Sequence, residues 1–359
     1  MYRSGIEQVQ IASPLPTQPT ARPDKIVGAE SDVADHDSTR GVLVWMGIVK
    51  HNFCCRVQNS CRRRFIRNQG KIVPNMKPIK YIAQDGHEFT GYRFDPVNSP
   101  KASIVIAPAM AVPQSFYVPF ARYLAAEGHV VWTFDYRGTG ESRKGGMRGV
   151  KADLTDWFAR DYDAVVNMAA DAYADTPVFA VGHSFGGQSA PLLPSRARLA
   201  GLVNVSVGSG SGRHITPRLR RTAPLMWHLM APLLCPLFGY FPGAGIGVIG
   251  DIPTGAMFQW RRWCLTPDYI LSGEPGAREA YASAEFPVLA LTSSDDEMLL
   301  EAGSRMMHAA YTKRAPDYRL LDPAQFGLKR IGHFGFFKPQ GEAALWPLVT
   351  KWIEEQREQ

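Results

Sequence analysis

Val178-Phe179-Ala180-Val181-Gly182-His183-Ser184-Phe185-Gly186-Gly187 is the stretch on which the reading of this chain depends. Its first four residues are apolar and partly β-branched, as expected of a short strand buried on both faces. The run ends in G-x-S-x-G. Glycine two positions before and two after the serine leaves room for a sharp, strained turn, which would raise the Ser184 hydroxyl above the sheet edge. Gln188-Ser189-Ala190-Pro191-Leu192-Leu193 follows as a short helix. The Phe185 N–H would then lie near a helix N-terminus, aimed at the charge that develops when the serine oxygen attacks a carbonyl. G-x-S-x-G alone arises by chance. A buried strand before it and a helix after it are the context its chemistry requires.

Working outward, strands and helices alternate. Residues 79–83 and 89–94 flank Asp85-Gly86, a hairpin signal. Residues 103–106, 130–134, 201–207, 288–291 and 319–321 read as further short strands. Helical spacing covers 116–128 and 153–173. Apolar strands alternating with helices imply an α/β fold with a mostly parallel, doubly wound sheet covered on both faces. Between strands 201–207 and 288–291 lie about 80 residues, far more than a crossover needs. The expected organisation is therefore a core of residues 76–207 and 286–359 with an inserted helical cap or lid over 208–285.

Residues 1–75 show neither helical nor strand periodicity and are expected to be a poorly ordered extension. They carry 11 Lys/Arg and 6 Asp/Glu, so most of the net charge of +7 sits there and only +2 belongs to the remainder. That distribution argues against a nucleic-acid partner for the main domain. Met76 opens the first strand segment, which suggests a start there. Five cysteines, Cys54, Cys55, Cys61, Cys235 and Cys264, contain no C-x-x-C pair; zinc and a disulfide framework are not expected, and the default compartment is the cytoplasm. Residues 223–250 lack Lys and Arg but hold four prolines and five glycines, so they are expected to lie on or in the cap, with peripheral membrane contact at most, rather than to span a bilayer. Gly208-Ser209-Gly210-Ser211-Gly212 lacks the spacing and helix of a dinucleotide loop. No cofactor or metal is expected. Oligomeric state is not legible.

From about residue 80 to 352 the chain resembles the α/β-hydrolase superfamily. Besides the serine turn, Asp135-Tyr136-Arg137-Gly138-Thr139-Gly140-Glu141-Ser142 is similar to a D-x-R-G-x-G-x-S loop of that superfamily, where it is structural. Val112-Pro113-Gln114, Gln259-Trp260-Arg261-Arg262-Trp263-Cys264 and Gly332-His333-Phe334-Gly335-Phe336-Phe337 resemble a bacterial branch of predicted hydrolases related to serine aminopeptidases and monoacylglycerol lipases. The resemblance implies a Ser-His-Asp triad in the chain order serine, acid, histidine.

Three acids, Asp295, Asp296 and Glu297, follow strand 288–291. The family register puts the triad acid at Asp296, with Asp295 the alternative. His333 is the expected base and His308 its competitor; His183 is expected to pack rather than react. The oxyanion donors would be the N–H groups of Phe185 and Met110. Pro108 has no N–H, and Ala109 is the second choice for the Met110 role. Trp227, Met230, Leu233, Phe238, Trp260 and Trp263 in the cap suggest a small-molecule substrate with a hydrophobic acyl chain or another hydrophobic ester. The expected activity is ester hydrolysis through an acyl-enzyme, extending to amides or thioesters. An acyltransferase with the same triad and a non-catalytic binding protein on the same fold are the alternatives.

Overall fold

Five of the strand segments contain almost nothing but Val, Ile, Leu, Ala and Phe, and such segments are stable only when both faces are covered. The computed structural model describes residues 75–247 and 249–358 and places those segments in the middle of one sheet. The readings made for residues 1–74, Cys54, Cys55 and Cys61 among them, lie outside the described residues. The strands are β1 (Asn75–Ile82), β2 (Glu88–Asp95), β3 (Ser103–Ala107), β4 (Val130–Phe134), β5 (Val178–His183), β6 (Leu199–Val205), β7 (Tyr240–Phe241), β8 (Ile252–Pro253), β9 (Val288–Ser293) and β10 (Asp317–Leu321). Eight of them form a sheet in the order β1-β2-β4-β3-β5-β6-β9-β10, while β7 and β8 pair separately. β1–β2 and β2–β4 are antiparallel, and every other pairing in the large sheet is parallel. β3, β4, β5 and β9 are buried at every residue.

The first core helix begins later than its periodicity suggests. Gln114–Tyr117 is a tight 3₁₀ turn, and α1 proper is Val118–Ala126, with a proline in its first turn. The helix expected over 153–173 divides into a wide π segment, Asp156–Tyr162, and α2 (Asp163–Ala172). The helix after the serine, α3 (Phe185–Ser189), starts three residues earlier than expected and tightens into a 3₁₀ turn at Ala190–Leu192. Phe120 and Leu124 of α1 pack on one face of the sheet with Trp346, which caps the C-terminal helix Pro347–Arg357, and with Val349 and Ile353 of that helix. Val165, Val166 and Ala169 of α2 pack on the other.

Between β6 and β9 lie α4 (Pro217–Leu225), α5 (Ala231–Phe238), α6 (Thr254–Leu265), α7 (Ile270–Gly273) and α8 (Ala277–Ala282). A π turn at Met226–Met230 joins α4 to α5. It falls between Pro224 and Pro232, where absent N–H donors leave gaps in the i→i−4 ladder. Among the described residues no helix is long and apolar enough to cross a membrane. Helices α9 (Glu301–His308) and α10 (Pro347–Arg357) complete the set.

Candidate active site

β5 ends at His183, and the next residue turns sharply. Ser184 has φ 49° and ψ −113°, a conformation that costs on the order of 1–3 kcal/mol for a residue with a Cβ. The surroundings enforce it. A Cβ on Gly182 would fall on the backbone of Gly187, and one on Gly186 would fall on the carbonyl of Ala107 at the end of β3. The Ser184 N–H donates to Val205 O at 3.0 Å, and its carbonyl accepts from Gly187 and Gln188 at 3.1 and 3.0 Å. Its backbone is therefore tied to β6 and to α3. The side chain is half-exposed, and its hydroxyl makes no hydrogen bond among the described residues.

Phe185 stands at the first position of α3, with its ring buried. It packs against Tyr136, Trp157 and Trp263, with centroid distances of 5.6, 5.9 and 6.4 Å. Two of these rings belong to the sheet body and its crossover, and Trp263 to α6. Such packing fixes the orientation of the Phe185 peptide, whose N–H has no backbone acceptor among the described residues. Opposite it, the loop after β3 runs Pro108-Ala109-Met110-Ala111. The Ala109 N–H is already spent on the Tyr117 hydroxyl at 2.9 Å. The second choice for the donor is thus occupied, while the Met110 N–H has no partner among the described residues. Ala111 follows at φ 55°, so the loop bends sharply just after Met110. Asp135 braces the same loop by accepting from the Gln114 N–H and side-chain amide at 2.8 and 3.2 Å. Arg137 is buried against Asp161 and Asp85. Both residues of that motif act structurally.

His333 and Asp296 meet. Nδ1 of His333 lies 2.8 Å from Asp296 Oδ2, and both side chains are almost wholly buried. The other carboxylate oxygen accepts from the N–H groups of Met298 and Leu299 at 2.7 and 2.9 Å. Burial opposes protonation of His333. The charge and hydrogen bond of Asp296, helped by the charge of Glu297, outweigh it and hold the imidazole pKa above its ordinary value. Asp295 does not touch the imidazole; its oxygens accept from the Ile331 and Gly332 N–H groups at 3.1 and 2.7 Å. His308 touches no carboxylate either. Its Nδ1–H donates to Ser304 O at 2.8 Å, its Nε2 accepts from Asn204 at 3.1 Å, and burial pushes its pKa down to about 4.

His183 packs, as expected, and also links two loops. Its Nε2 lies 3.0 Å from His333 O, and a carbonyl can only accept, so this nitrogen carries the proton. Nδ1 then accepts from the Tyr117 hydroxyl at 2.8 Å. A buried chain of hydrogen bonds runs from the Ala109 N–H through Tyr117 and His183 to His333. Burial, and the neighbouring His333, hold His183 well below the ordinary histidine pKa and so neutral. Tyr117 was not singled out from sequence, because an aromatic residue at helical spacing reads as core.

Gln188 is the other residue missed. Its Oε1 accepts from Tyr269 at 3.2 Å, its backbone O from Tyr281 at 2.6 Å, and its side-chain amide donates to Gly208 O at 2.8 Å. These bonds fasten the segment between β6 and β9 to the helix that carries Ser184. Among the described residues no group of three or more His, Cys, Asp or Glu side chains is placed to hold a metal ion.

A family model described as serine aminopeptidase, S33, matches residues 98–238. The chain is 34% identical to a monoacylglycerol lipase of Mycolicibacterium smegmatis over 92 residues, which are 26% of this chain and 32% of that protein. It is 32% identical to a monoglyceride lipase of Homo sapiens over 142 residues, 39% of this chain and 46% of that one. The match thus spans a third to a half of the length of these relatives. Among solved structures, a soluble variant of monoglyceride lipase from Saccharomyces cerevisiae, in complex with a substrate analogue, superposes with a TM-score of 0.58 at 16% identity. It covers 81% of this chain and 98% of that one. The strand order and this structural likeness lead to one conclusion: the chain has the α/β-hydrolase fold, and over part of its length its sequence is similar to monoacylglycerol lipases.

Proposed function

We propose that this chain is a serine hydrolase that cleaves carboxylic esters of hydrophobic acyl groups, with Ser184 as nucleophile, His333 as base and Asp296 as its orienting acid. The observation that carries the reading is the buried His333–Asp296 pair at 2.8 Å, whose histidine carbonyl is bound at 3.0 Å by His183, the residue before the strained turn of Ser184. In the first step His333 Nε2 takes the Ser184 proton as Oγ bonds to the ester carbonyl. Asp296 keeps the proton on Nδ1 and stabilises the imidazolium. The N–H groups of Phe185 and Met110 receive the oxyanion. His333 then protonates the departing alcohol, and a water molecule, deprotonated by the same nitrogen, releases the acid and restores Ser184.

In this reading residues 76–207 and 286–359 form the catalytic body, and 208–285 form a cap over Ser184. Trp227 and Trp260 of the cap meet edge to face at 4.9 Å, and Trp263 lies against Phe185, which supports an aromatic, apolar approach to the site. The named relatives act on monoacylglycerols, so a long-chain monoester of a small alcohol is the substrate class we assign. The exposed Leu229, Leu233 and Leu237, spaced four apart along 217–238, would rest the cap on a lipid surface. Cys235 and Cys264 are buried and unpaired, which supports a reducing, cytoplasmic setting.

A chain-length series of p-nitrophenyl esters tests the proposal. Turnover should rise from acetate to octanoate and vanish in Ser184→Ala. Acetate turned over far faster than longer esters would remove the hydrophobic substrate, and undiminished activity of Ser184→Ala would remove the mechanism.

A further inference from the structure

The three consecutive acids after β9 all engage the short segment that carries His333. Only Asp296 reaches the imidazole. Asp295 accepts from the two peptides before it, Ile331 N–H at 3.1 Å and Gly332 N–H at 2.7 Å, and is itself oriented by the Ser293 hydroxyl. Glu297 Oε2 accepts from the His333 N–H at 2.9 Å and pairs with Arg330 at 3.0 Å. Three successive backbone N–H groups, 331 to 333, are thus bound by the two carboxylates that flank Asp296. Gly332 between them sits at φ +60°, and a Cβ there would come within 2.5 Å of Glu297 Oε2. The positive φ favours glycine, and any other side chain there would have to displace the Glu297 carboxylate from the His333 N–H.

An imidazole that must meet a hydroxyl and a carboxylate together can tolerate little rotation of its own peptide, since misplacement by about 1 Å costs roughly 10²-fold in rate. We propose that Asp295 and Glu297 are positioning residues that clamp the loop bearing His333, Asp295 through the Ile331 and Gly332 amides and Glu297 through the His333 amide. The proposal rests on the assignment of Ser184, His333 and Asp296 as the triad. It assigns the sequence Asp295-Asp296-Glu297 three separate tasks in place of one catalytic acid and two spectators.

The charged and titratable groups facing His333 are Asp296 and Glu297 from the loop after β9 and neutral His183 from β5. Asp295 acts on its loop from behind, and Arg330 acts on Glu297. Removing the Glu297 charge while keeping an acceptor should therefore leave the loop in place and make the imidazole less basic.

The experiment uses the full chain with p-nitrophenyl butyrate across a pH series. Downfield proton NMR of the His333 Nδ1–H and thermal unfolding are recorded on the same samples. Asp295→Asn turns one acceptor into a donor facing an N–H. It should lower kcat roughly 10–100-fold with KM within about twofold, and should weaken or shift the Nδ1–H resonance. Glu297→Gln, at a partly exposed position that will fold, should keep kcat within a few-fold at its pH plateau and move the acid limb of kcat/KM to lower pH. Glu297→Ala should lose roughly tenfold in kcat. Wild-type kcat and an unmoved Nδ1–H resonance in Asp295→Asn would overturn its part in the clamp. An unmoved acid limb in Glu297→Gln, with full kcat in Glu297→Ala, would overturn the part of Glu297. Failure of the underlying triad looks different: Asp296→Asn would then stay active while Asp295→Asn lost all activity.

Discussion

Asp296 divides its two oxygens between different partners, Oδ2 to the His333 imidazole and Oδ1 to the amides of Met298 and Leu299. The amide bonds hold the carboxylate so that only one oxygen is left for the imidazole. Asp296→Asn keeps the shape but offers the imidazole the wrong partner, so kcat should fall roughly 10³–10⁴-fold, measured on purified variant of unchanged Tm. The same contact sets the pH dependence. In the proposed mechanism His333 works only when neutral, and Asp296 holds its pKa above the ordinary 6.5, so kcat/KM should decline as pH falls through a midpoint above that value. A pH–rate profile with its acid limb below 6.5 would contradict this. At this scale the sequence named Ser184 and His333 through a motif and a chain order. It left Asp295 and Asp296 in competition because adjacent side chains on one loop both come near the base. The choice between them depends on the path of the 330–333 loop, which local spacing does not encode. The spent Ala109 amide was hidden for the same reason: its acceptor, Tyr117, sits on a separate element and read as ordinary core.

The strand–turn–helix unit of β5, Ser184 and α3 is held from three sides, by β3 at Gly186, by β6 through Val205 and by aromatic packing around Phe185. Phe185→Ala would empty a pocket lined by Tyr136, Trp157 and Trp263 and should destabilise the fold by about 3–5 kcal/mol in urea titrations. Gly186→Ala would drive a methyl group into the Ala107 carbonyl and should cost at least about 1–3 kcal/mol, with loss of activity in whatever fraction folds. The strands of the large sheet were legible to within a few residues, since apolar runs bounded by turn residues have few other readings, but β1 starts four residues before the segment read, β6 lies two residues earlier than 201–207, and the short pair β7 and β8 was not read. The helices were less so. Residues 156–162 widen into a π segment and 114–117 tighten into a 3₁₀ turn, and apolar spacing does not separate either from an α-helix. The prolines at 224, 232 and 236, read as breaks, lie within a nearly continuous helical run that includes the π turn at Met226–Met230.

Across the whole molecule, buried histidines shape the response to acid. Burial pushes His129 and His308 down to about 4 and holds His183 low as well. Each binds a proton more readily when unfolded, so stability should drop as pH falls from 6.5 towards 4, by on the order of 3 kcal/mol each for His129 and His308. His333 acts in the opposite sense: its raised pKa adds stability below 6.5 that is lost as pH rises through the folded value. Urea midpoints measured between pH 4 and 7 check the balance, and a midpoint that rises on acidification would contradict it. The apolar stripe of Leu229, Leu233 and Leu237 makes a separate prediction. Leu233→Ser with Leu237→Ser should lower co-sedimentation with phospholipid vesicles by about tenfold or more while leaving hydrolysis of a soluble short ester unchanged. The central claim, that Ser184 is the nucleophile activated by the His333–Asp296 pair, is tested most directly by mass spectrometry of the full chain after exposure to a fluorophosphonate. The account predicts one adduct per chain, mapped by peptide sequencing to Ser184, absent in Ser184→Ala and strongly slowed in Asp296→Asn. An unmodified wild-type chain, or an adduct that persists in Ser184→Ala, would contradict it.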